Sequence, residues 1–394
     1  MQTSPILIIG GGVGGLTLAL SLAKRGVACQ VFEQSAEFSE FGAGIQLSPN
    51  AIRRLKSLGL EDKLAAFATA PDKINIHDSI DGAELSHIPL GAMAEARYGA
   101  PYRVIARQHL ISLLLEAVSD EPLVELFTNK RLLHLFQDGQ SLVKAVMEDE
   151  SVYEGALLIG ADGVWSRVRT LLNRQITPTQ TGLIAWRALL PERDAPALLS
   201  KADTNVWLGP AAHLVQYRVA GGEKINLVAV TKGEARPRSW AEDLPAELLF
   251  EQIRGWHKPV RRAVMEVGGW QAWPLMLLKP FRPWFKGRAV LMGDACHAIV
   301  PFLAQGAAMA IEDAVLLADL IANSEDINRE DARDIVLTHY EAERYRRCRR
   351  VLSKSIYNLQ FYHAKGALRH VRNGMLRFTP PKFLLRQYDW LYKE

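Results

Sequence analysis

Cysteine is scarce: only Cys29, Cys296 and Cys348 occur in 394 residues, far apart, with no CxxC pair and no even framework. That spacing excludes a disulfide scaffold and a cysteine-held structural zinc, and it fits a reducing, cytoplasmic setting. Charge of one sign is missing too, since 47 lysines and arginines face 43 aspartates and glutamates, a net of +4. A balance so close carries no footprint for nucleic acid, although it suits a cleft that draws in small anions. No apolar run reaches the roughly 18 residues that a membrane-spanning helix needs. The opening, MQTSPILIIGGG, has no basic segment ahead of its apolar stretch and no small-residue cleavage site, so it reads as a buried strand and not as a signal peptide. Repeats, low-complexity tracts and flexible linkers are absent as well, so domains are expected to interleave rather than hang on a hinge. What is present is a chain with 48% hydrophobic residues, long enough to bury one large core or two in close contact.

The order of local patterns points to an α/β protein. Ile6–Ile9 is a short continuous apolar run, as a parallel strand buried on both faces requires. A glycine cluster follows, then helical spacing over Leu16–Lys24 and a second strand over Val27–Glu33. Gly42–Asn50 reads as a loop, and Ala51–Leu58 as a helix closed by Gly59. Strand-like pieces flank a turn at Asp81-Gly82, Arg107–Val118 is helical, and short strands return from Val124 to Ile159 with a turn around Asp138-Gly139. The stretch 183–230 is β-rich, with Gly221-Gly222 closing a hairpin. Arg288–Met292 is another buried strand, Ala307–Ile321 a helix, and the tail from Ala332 is helical, basic and rich in Arg and Tyr. Its charge run, Arg344–Arg350, reads most simply as a solvated helical face; docking on a membrane or partner is the other reading.

Three motifs carry chemistry. Gly10-Gly11-Gly12-Val13-Gly14-Gly15 fits G-x-G-x-x-G between a strand and a helix, where Gly10 permits the turn, Gly12 the approach of a pyrophosphate and Gly15 close helix packing. The helix N-terminus offers free N–H groups to phosphates, and Glu33 ends the second strand where a carboxylate can accept from ribose hydroxyls. This motif leaves open whether the adenosine belongs to a nicotinamide or a flavin cofactor. Gly160-Ala161-Asp162-Gly163 leaves a strand and is, on its own, an Asx-type turn. Gly293-Asp294-Ala295-Cys296-His297 follows another strand, and Gln305-Gly306-Ala307 opens a helix beyond it. An aspartate at the carboxyl end of a parallel strand can accept from a polyol such as a ribityl chain. The positive end of a helix starting at Gly306-Ala307 would stabilise a flavin edge that turns anionic on reduction. One His beside one Cys lacks ligand spacing, so no metal is expected.

Together these motifs resemble the class A FAD-dependent aromatic hydroxylases, in the branch with salicylate hydroxylase, 3-hydroxybenzoate 6-hydroxylase and 6-hydroxynicotinate 3-monooxygenase. Gly42-Ala43-Gly44-Ile45-Gln46 with Ser48-Pro49-Asn50, Pro301–Ala307 and the aromatic ending Tyr388–Tyr392 are similar to that branch. The resemblance implies a Rossmann-like FAD-binding domain interleaved with a β-sheet substrate domain and a helical C-terminal region. FAD binding would use 1–70, 101–175 and 279–325, the substrate domain 71–100 and 176–278, and the C-terminal helices 326–394. It implies FAD contacts at Gly10, Gly12, Gly14, Gly15, Glu33, Gln34, Gly44, Arg107, Asp162 with Gly163, Gly293 with Asp294, Gly306 and Ala307. Gln46, Pro301 and Phe302 fall at the substrate. The chain departs from the branch at Ala106-Arg107-Gln108-His109-Leu110, where many members read His-Arg-x-Asp-Leu, and at Phe302, where the 3-hydroxybenzoate enzyme looks to carry tyrosine.

The implied activity is hydroxylation of a small aromatic acid or phenol with NADH or NADPH and O₂, through a flavin hydroperoxide, by a monomer or homodimer. Such a substrate needs a base near its hydroxyl, since a phenolate is the better nucleophile. Strand alternation over His213-Leu214-Val215-Gln216-Tyr217 puts His213 and Tyr217 on one face, His213 as the base and Tyr217 as an orienting donor. The plainer reading is a half-buried strand with a satisfied histidine and a core tyrosine. Trp186, Arg187, Trp207 and Trp273 are pocket candidates of the same ambiguity. An FAD-linked dehydrogenase or a flavin-binding protein without catalysis would share most of these features.

Overall fold

The computed structural model describes residues 4–38, 44–137, 142–173, 175–233 and 242–393. Ile6–Ile9 runs parallel to both Cys29–Phe32 and Leu157–Gly160, and Leu157–Gly160 runs parallel to Ala289–Leu291. With Val124–Phe127 and Phe285–Lys286 at its edges these strands make a six-stranded sheet. Its two central strands, Ile6–Ile9 and Leu157–Gly160, carry no polar side chain because both faces are covered: Leu7, Ile8, Leu157 and Leu158 are fully buried. The helix Val13–Ala23 crosses from the first strand to the second and packs on Gly306–Ala322.

A second sheet has eight strands and is mostly antiparallel, with Lys73–Asp78 and Glu84–Pro89 at one end and Glu242–Pro245 at the other. Ala212–Val219 lies inside it between Thr204–Gly209 and Lys224–Lys232, and the turn at Gly221-Gly222 joins it to the latter. This sheet has its own cluster of Trp186, Trp207, Trp256 and Trp270 with aliphatic partners. Trp186 and Trp207 spend their indole N–H groups on Thr231 and Gln216, so they are core rather than pocket. The chain is thus an α/β fold of mixed sheets with a helical C-terminal region.

One local expectation changes. Gly42–Asn50 is not a loop throughout: Gly44–Leu47 is a strand paired antiparallel with Arg103–Ala106, and a helix starts at Pro49. The partner strand lies far along the chain, so no local pattern announces the pairing. The turn expected at Asp138-Gly139 lies outside the described residues.

The tail also differs from the solvated face expected of its charge run. Glu330–Tyr362 is one 33-residue helix, and Arg344 and Arg347 are buried in it. Arg344 bonds Asp313 at 2.5 Å and Glu312 at 2.8 Å, and Arg347 bonds Glu312 at 2.5 Å. Asp313 also accepts from the Gly293 N–H at 2.8 Å and pairs with His297 at 2.5 Å. Asn50 donates to Glu312 at 2.6 Å. The network therefore ties the tail to Gly306–Ala322 and to the turn at Gly293. Cys296, His297 and Asp313 offer ligand atoms within 4.8 Å of one another, but the Arg344 guanidinium already neutralises Asp313 there.

Candidate active site

Three spaces run end to end, from the glycine loop past the eight-stranded sheet to the tail. The first, about 940 Å³, is lined by the glycine loop, Glu33, Gln34, Phe38, Asp162, Gly163 and Arg167. The second, about 320 Å³, shares Gly12, Ala161 and Gly163 with the first and continues to Arg107, Asp294, Gly306 and Ala307. The third, about 180 Å³, shares Gln46, His213, Val215, Pro301 and Ala304 with the second. An elongated cofactor followed by a small molecule is the occupant such a series fits.

The glycine loop is built for close approach. Gly10 has φ of +110°, and a Cβ there would lie 2.4 Å from the Ala161 carbonyl oxygen. A Cβ on Gly15 would lie 1.9 Å from the carbonyl oxygen of Gly10, so the helix start and the strand end touch through bare backbone. Glu33 accepts from the Gly11 N–H and the Ser35 N–H, both at 2.9 Å. Its carboxylate therefore braces the loop as well as lining the first space. Asp162 lines that space, but its carboxylate is committed to the protein: it accepts from Ser166 Oγ at 2.5 Å and from the N–H groups of Arg167 and Val168 at 2.7 and 3.0 Å. It caps the helix Arg167–Leu172, and Gly163 with the neighbouring backbone faces both first and second spaces.

In the middle space Asp294 is exposed although Met292, Gly293, Ala295 and Cys296 around it are buried. Arg107 stands near it, its guanidinium pushed down in pKa by burial and held up by the Asp294 charge. Among the described residues no side chain caps the helix starting at Gly306, and a Cβ on Gly306 would meet none of their atoms within 4 Å. Free N–H groups of a helix terminus thus border the space beside a carboxylate acceptor. These groups fit the flavin of an FAD: a phosphate cradle, an acceptor for polyol hydroxyls, and a positive helix end for an anionic ring edge. Arg187 lies in the same wall, stacked over Trp273 at 5.4 Å, with a buried Nε that makes no hydrogen bond among the described residues.

His213, Val215 and Tyr217 do share one strand face, and all three line the middle space. Their further surroundings differ. The Tyr217 hydroxyl donates to the Gly44 carbonyl at 2.7 Å, and Tyr217 does not line the third space. It holds the strand Gly44–Leu47 in place, and Asn226 does the same from the other side by accepting from the Gly44 N–H at 2.7 Å. His213 borders both spaces, against Phe302 with ring centroids 5.5 Å apart. Burial pushes its imidazole well below the ordinary value, and His363 nearby adds to that. Gln46 accepts from the Tyr102 hydroxyl at 2.5 Å and also bonds the Tyr217 phenol, and it lines both the middle and the outer space.

The third space is walled by Ile74, Ile76, Leu90, Val206, Leu208 and Phe302, with no charged side chain among the described residues that line it. Much of its far wall comes from the tail: Asn358, Phe361, Tyr362, Leu376, Leu384, Tyr388 and Tyr392. Sequence patterns missed this contribution, as they missed Tyr102 and His363. The one available signal was the concentration of aromatic residues between Tyr357 and Tyr392.

The family model for the FAD binding domain matches residues 3–355. The chain is 35% identical over 390 residues to a 3-hydroxybenzoate 6-hydroxylase of Polaromonas naphthalenivorans, covering 98% of this chain and 95% of that protein. It is 37% identical over 322 residues to a 6-hydroxynicotinate 3-monooxygenase of Bordetella bronchiseptica, covering 80% of this chain and 82% of that one. In fold it is similar to a salicylate hydroxylase solved with its substrate, at a TM-score of 0.82 and 23% identity, over 100% of this chain and 96% of that one.

Proposed function

The chain belongs to the FAD-dependent aromatic hydroxylases, and from that premise we propose that it hydroxylates a hydroxybenzoate- or hydroxypyridine-type ring with NAD(P)H and O₂ in the space between Gln46, His213 and Phe302. The observation that carries this reading is His213 at the junction of the middle and outer spaces, where a ring in the outer space meets whatever fills the middle one. The size agrees. A cavity of about 150 Å³ suffices for benzene, and the outer space of about 180 Å³ suits one ring with small polar substituents. The relatives named for 3-hydroxybenzoate and 6-hydroxynicotinate support a substrate of that class.

FAD, when bound, supplies the acceptance of a hydride from NAD(P)H and the activation of O₂ for transfer to the ring. Gly10, Gly12, Gly14, Gly15, Glu33 and Gln34 would hold its adenosine and phosphates, and Asp294, Arg107, Gly44, Gly306 and Ala307 its remainder. His213 takes the proton of the substrate hydroxyl, which raises the electron density of the ring. Gln46, oriented by Tyr102, donates to a polar substituent, and Pro301 and Phe302 press on the ring face. Tyr217 acts one step back, by fixing the Gly44–Leu47 strand from which Gln46 projects. Apolar walls exclude water from the reacting centre. An acid bound in the outer space would find hydroxyl and amide donors for its carboxylate rather than a cation.

The test is NAD(P)H consumption by the FAD-loaded protein across single hydroxybenzoates and hydroxypyridines. Stimulation by at least one member is expected. Stimulation by none, with FAD fully bound, would remove the proposed substrate class.

A further inference from the structure

Behind His213, on the side away from both spaces, stands a second histidine. His213 Nδ1 and His363 Nε2 are 2.8 Å apart. His363 lines neither space; it follows the last residue of the Glu330–Tyr362 helix, and its carbonyl accepts from the Ala211 N–H at 3.3 Å. It is half-buried, and two residues later the chain is exposed at Lys365. The pair thus bridges the cavity wall and the protein surface. Because Nδ1 of His213 is committed to His363, Nε2 is the atom left for a substrate.

We propose that His363 is the outer half of a proton relay that carries the substrate hydroxyl proton from His213 to solvent. This rests on the reading of His213 as the substrate's base. The step balances without any charged imidazole. The substrate O–H bond breaks and an N–H bond forms at His213 Nε2. His213 Nδ1–H passes its proton to His363 Nε2, and His363 releases its Nδ1 proton to water. Both rings end neutral in the opposite tautomer, and the phenolate remains as the one new charge in the cavity.

The surroundings explain why a relay is needed. His213 packs against the rings of Phe302 and Tyr362, with centroids 5.5 and 5.2 Å away. Lys232, Lys365 and Arg372 all face His363 with positive charge, so burial and these cations pull its imidazole down to about 4. A lone His213 in this setting is a poor place to store a proton. Handing it on to water through a neutral partner avoids an imidazolium at either site.

The experiment uses the FAD-loaded protein with His363→Gln, His363→Ala and His213→Ala beside the parent, and each panel substrate that the parent oxidises. Both His363 variants should keep FAD and KM but lose about tenfold to a hundredfold in kcat at neutral pH, less than the 10²–10⁴ of losing a general base. The loss should shrink as pH rises, and added imidazole should restore His363→Ala. If His213→Ala is impaired while both His363 variants keep the parental kcat and pH profile, the relay is wrong and the base stands. If His213→Ala is also parental, the reading of the base itself fails. A second measurement needs no substrate: ¹⁵N spectra of histidine-labelled protein should show His213 ring resonances moved by His363→Gln. Unmoved resonances would overturn the coupling.

Discussion

Two glycine substitutions separate what the protein requires of its own backbone from what a cofactor requires. In Gly15→Ala the new Cβ lies 1.9 Å from the Gly10 carbonyl oxygen, against backbone that has no rotamer to change. The helix and strand must part by roughly an ångström, and overpacking of this kind costs about 1–3 kcal/mol. If that strain is relieved by opening the phosphate cradle, FAD affinity falls by about five- to 150-fold. In Gly306→Ala the new Cβ meets no atom of the described residues within 4 Å, so the apoprotein should melt at the parental temperature. Its FAD affinity should fall nonetheless, because the methyl group projects into the middle space. Fluorescence titration of apoprotein with FAD gives the affinities, and thermal melts of the same samples give the stabilities. Parental FAD affinity in Gly15→Ala would refute the cradle. A destabilised Gly306→Ala apoprotein that keeps its FAD affinity would refute the placement of the flavin.

Asp294→Ala removes an exposed acceptor of the middle space and should weaken FAD by about 1–3 kcal/mol per hydroxyl left unpaired, read by the same titration. His213→Ala should keep FAD but slow product formation by about 10² to 10⁴-fold at neutral pH, with the deficit shrinking as pH rises; equal product yield and rate at neutral pH would place the base elsewhere. Arg344→Met takes a guanidinium from Asp313 and Glu312 in a buried site but leaves Asp313 to His297 and the Gly293 N–H and Glu312 to Arg347 and Asn50, so unfolding by denaturant should show a loss of about 1–3 kcal/mol. His213 and His363 both have imidazoles lowered by burial, His363 to about 4, so the unfolded chain binds more protons than the folded one between that value and the ordinary value of about 6.5. Stability should therefore rise with pH across that window and be fully present above it. His363→Gln should flatten the slope by up to about 1.4 kcal/mol per pH unit, and an unchanged slope would contradict the assignment.

What could be read from the residues in order was what their neighbours in sequence determine. The strand Ile6–Ile9, the glycine loop and the helix after it follow from one another within twenty residues, so this strand–loop–helix unit was legible in the sequence. The shared face of His213 and Tyr217 needs only the two-residue period of a strand. What Tyr217 does there was not legible, because its hydroxyl is spent on Gly44, which comes from a distant strand pairing. That pairing, Gly44–Leu47 with Arg103–Ala106, has no local signature. Arg344 and Arg347 misled for a similar reason: a basic run is ordinarily solvated, and only Glu312 and Asp313 on another helix explain their burial. The outer space is the extreme case. Its walls join Ile74 and Ile88 to Tyr388 and Tyr392, segments about three hundred residues apart, which only the folded chain brings together.

The most direct measurement is the mass of the product formed under ¹⁸O₂ by the FAD-loaded protein with NAD(P)H and the panel substrate that stimulates it most. The account expects the aromatic product to carry one added oxygen, labelled with ¹⁸O, and expects His213→Ala to form much less of it from the same substrate. An aromatic ring recovered without label while NAD(P)H is consumed would contradict hydroxylation at this site.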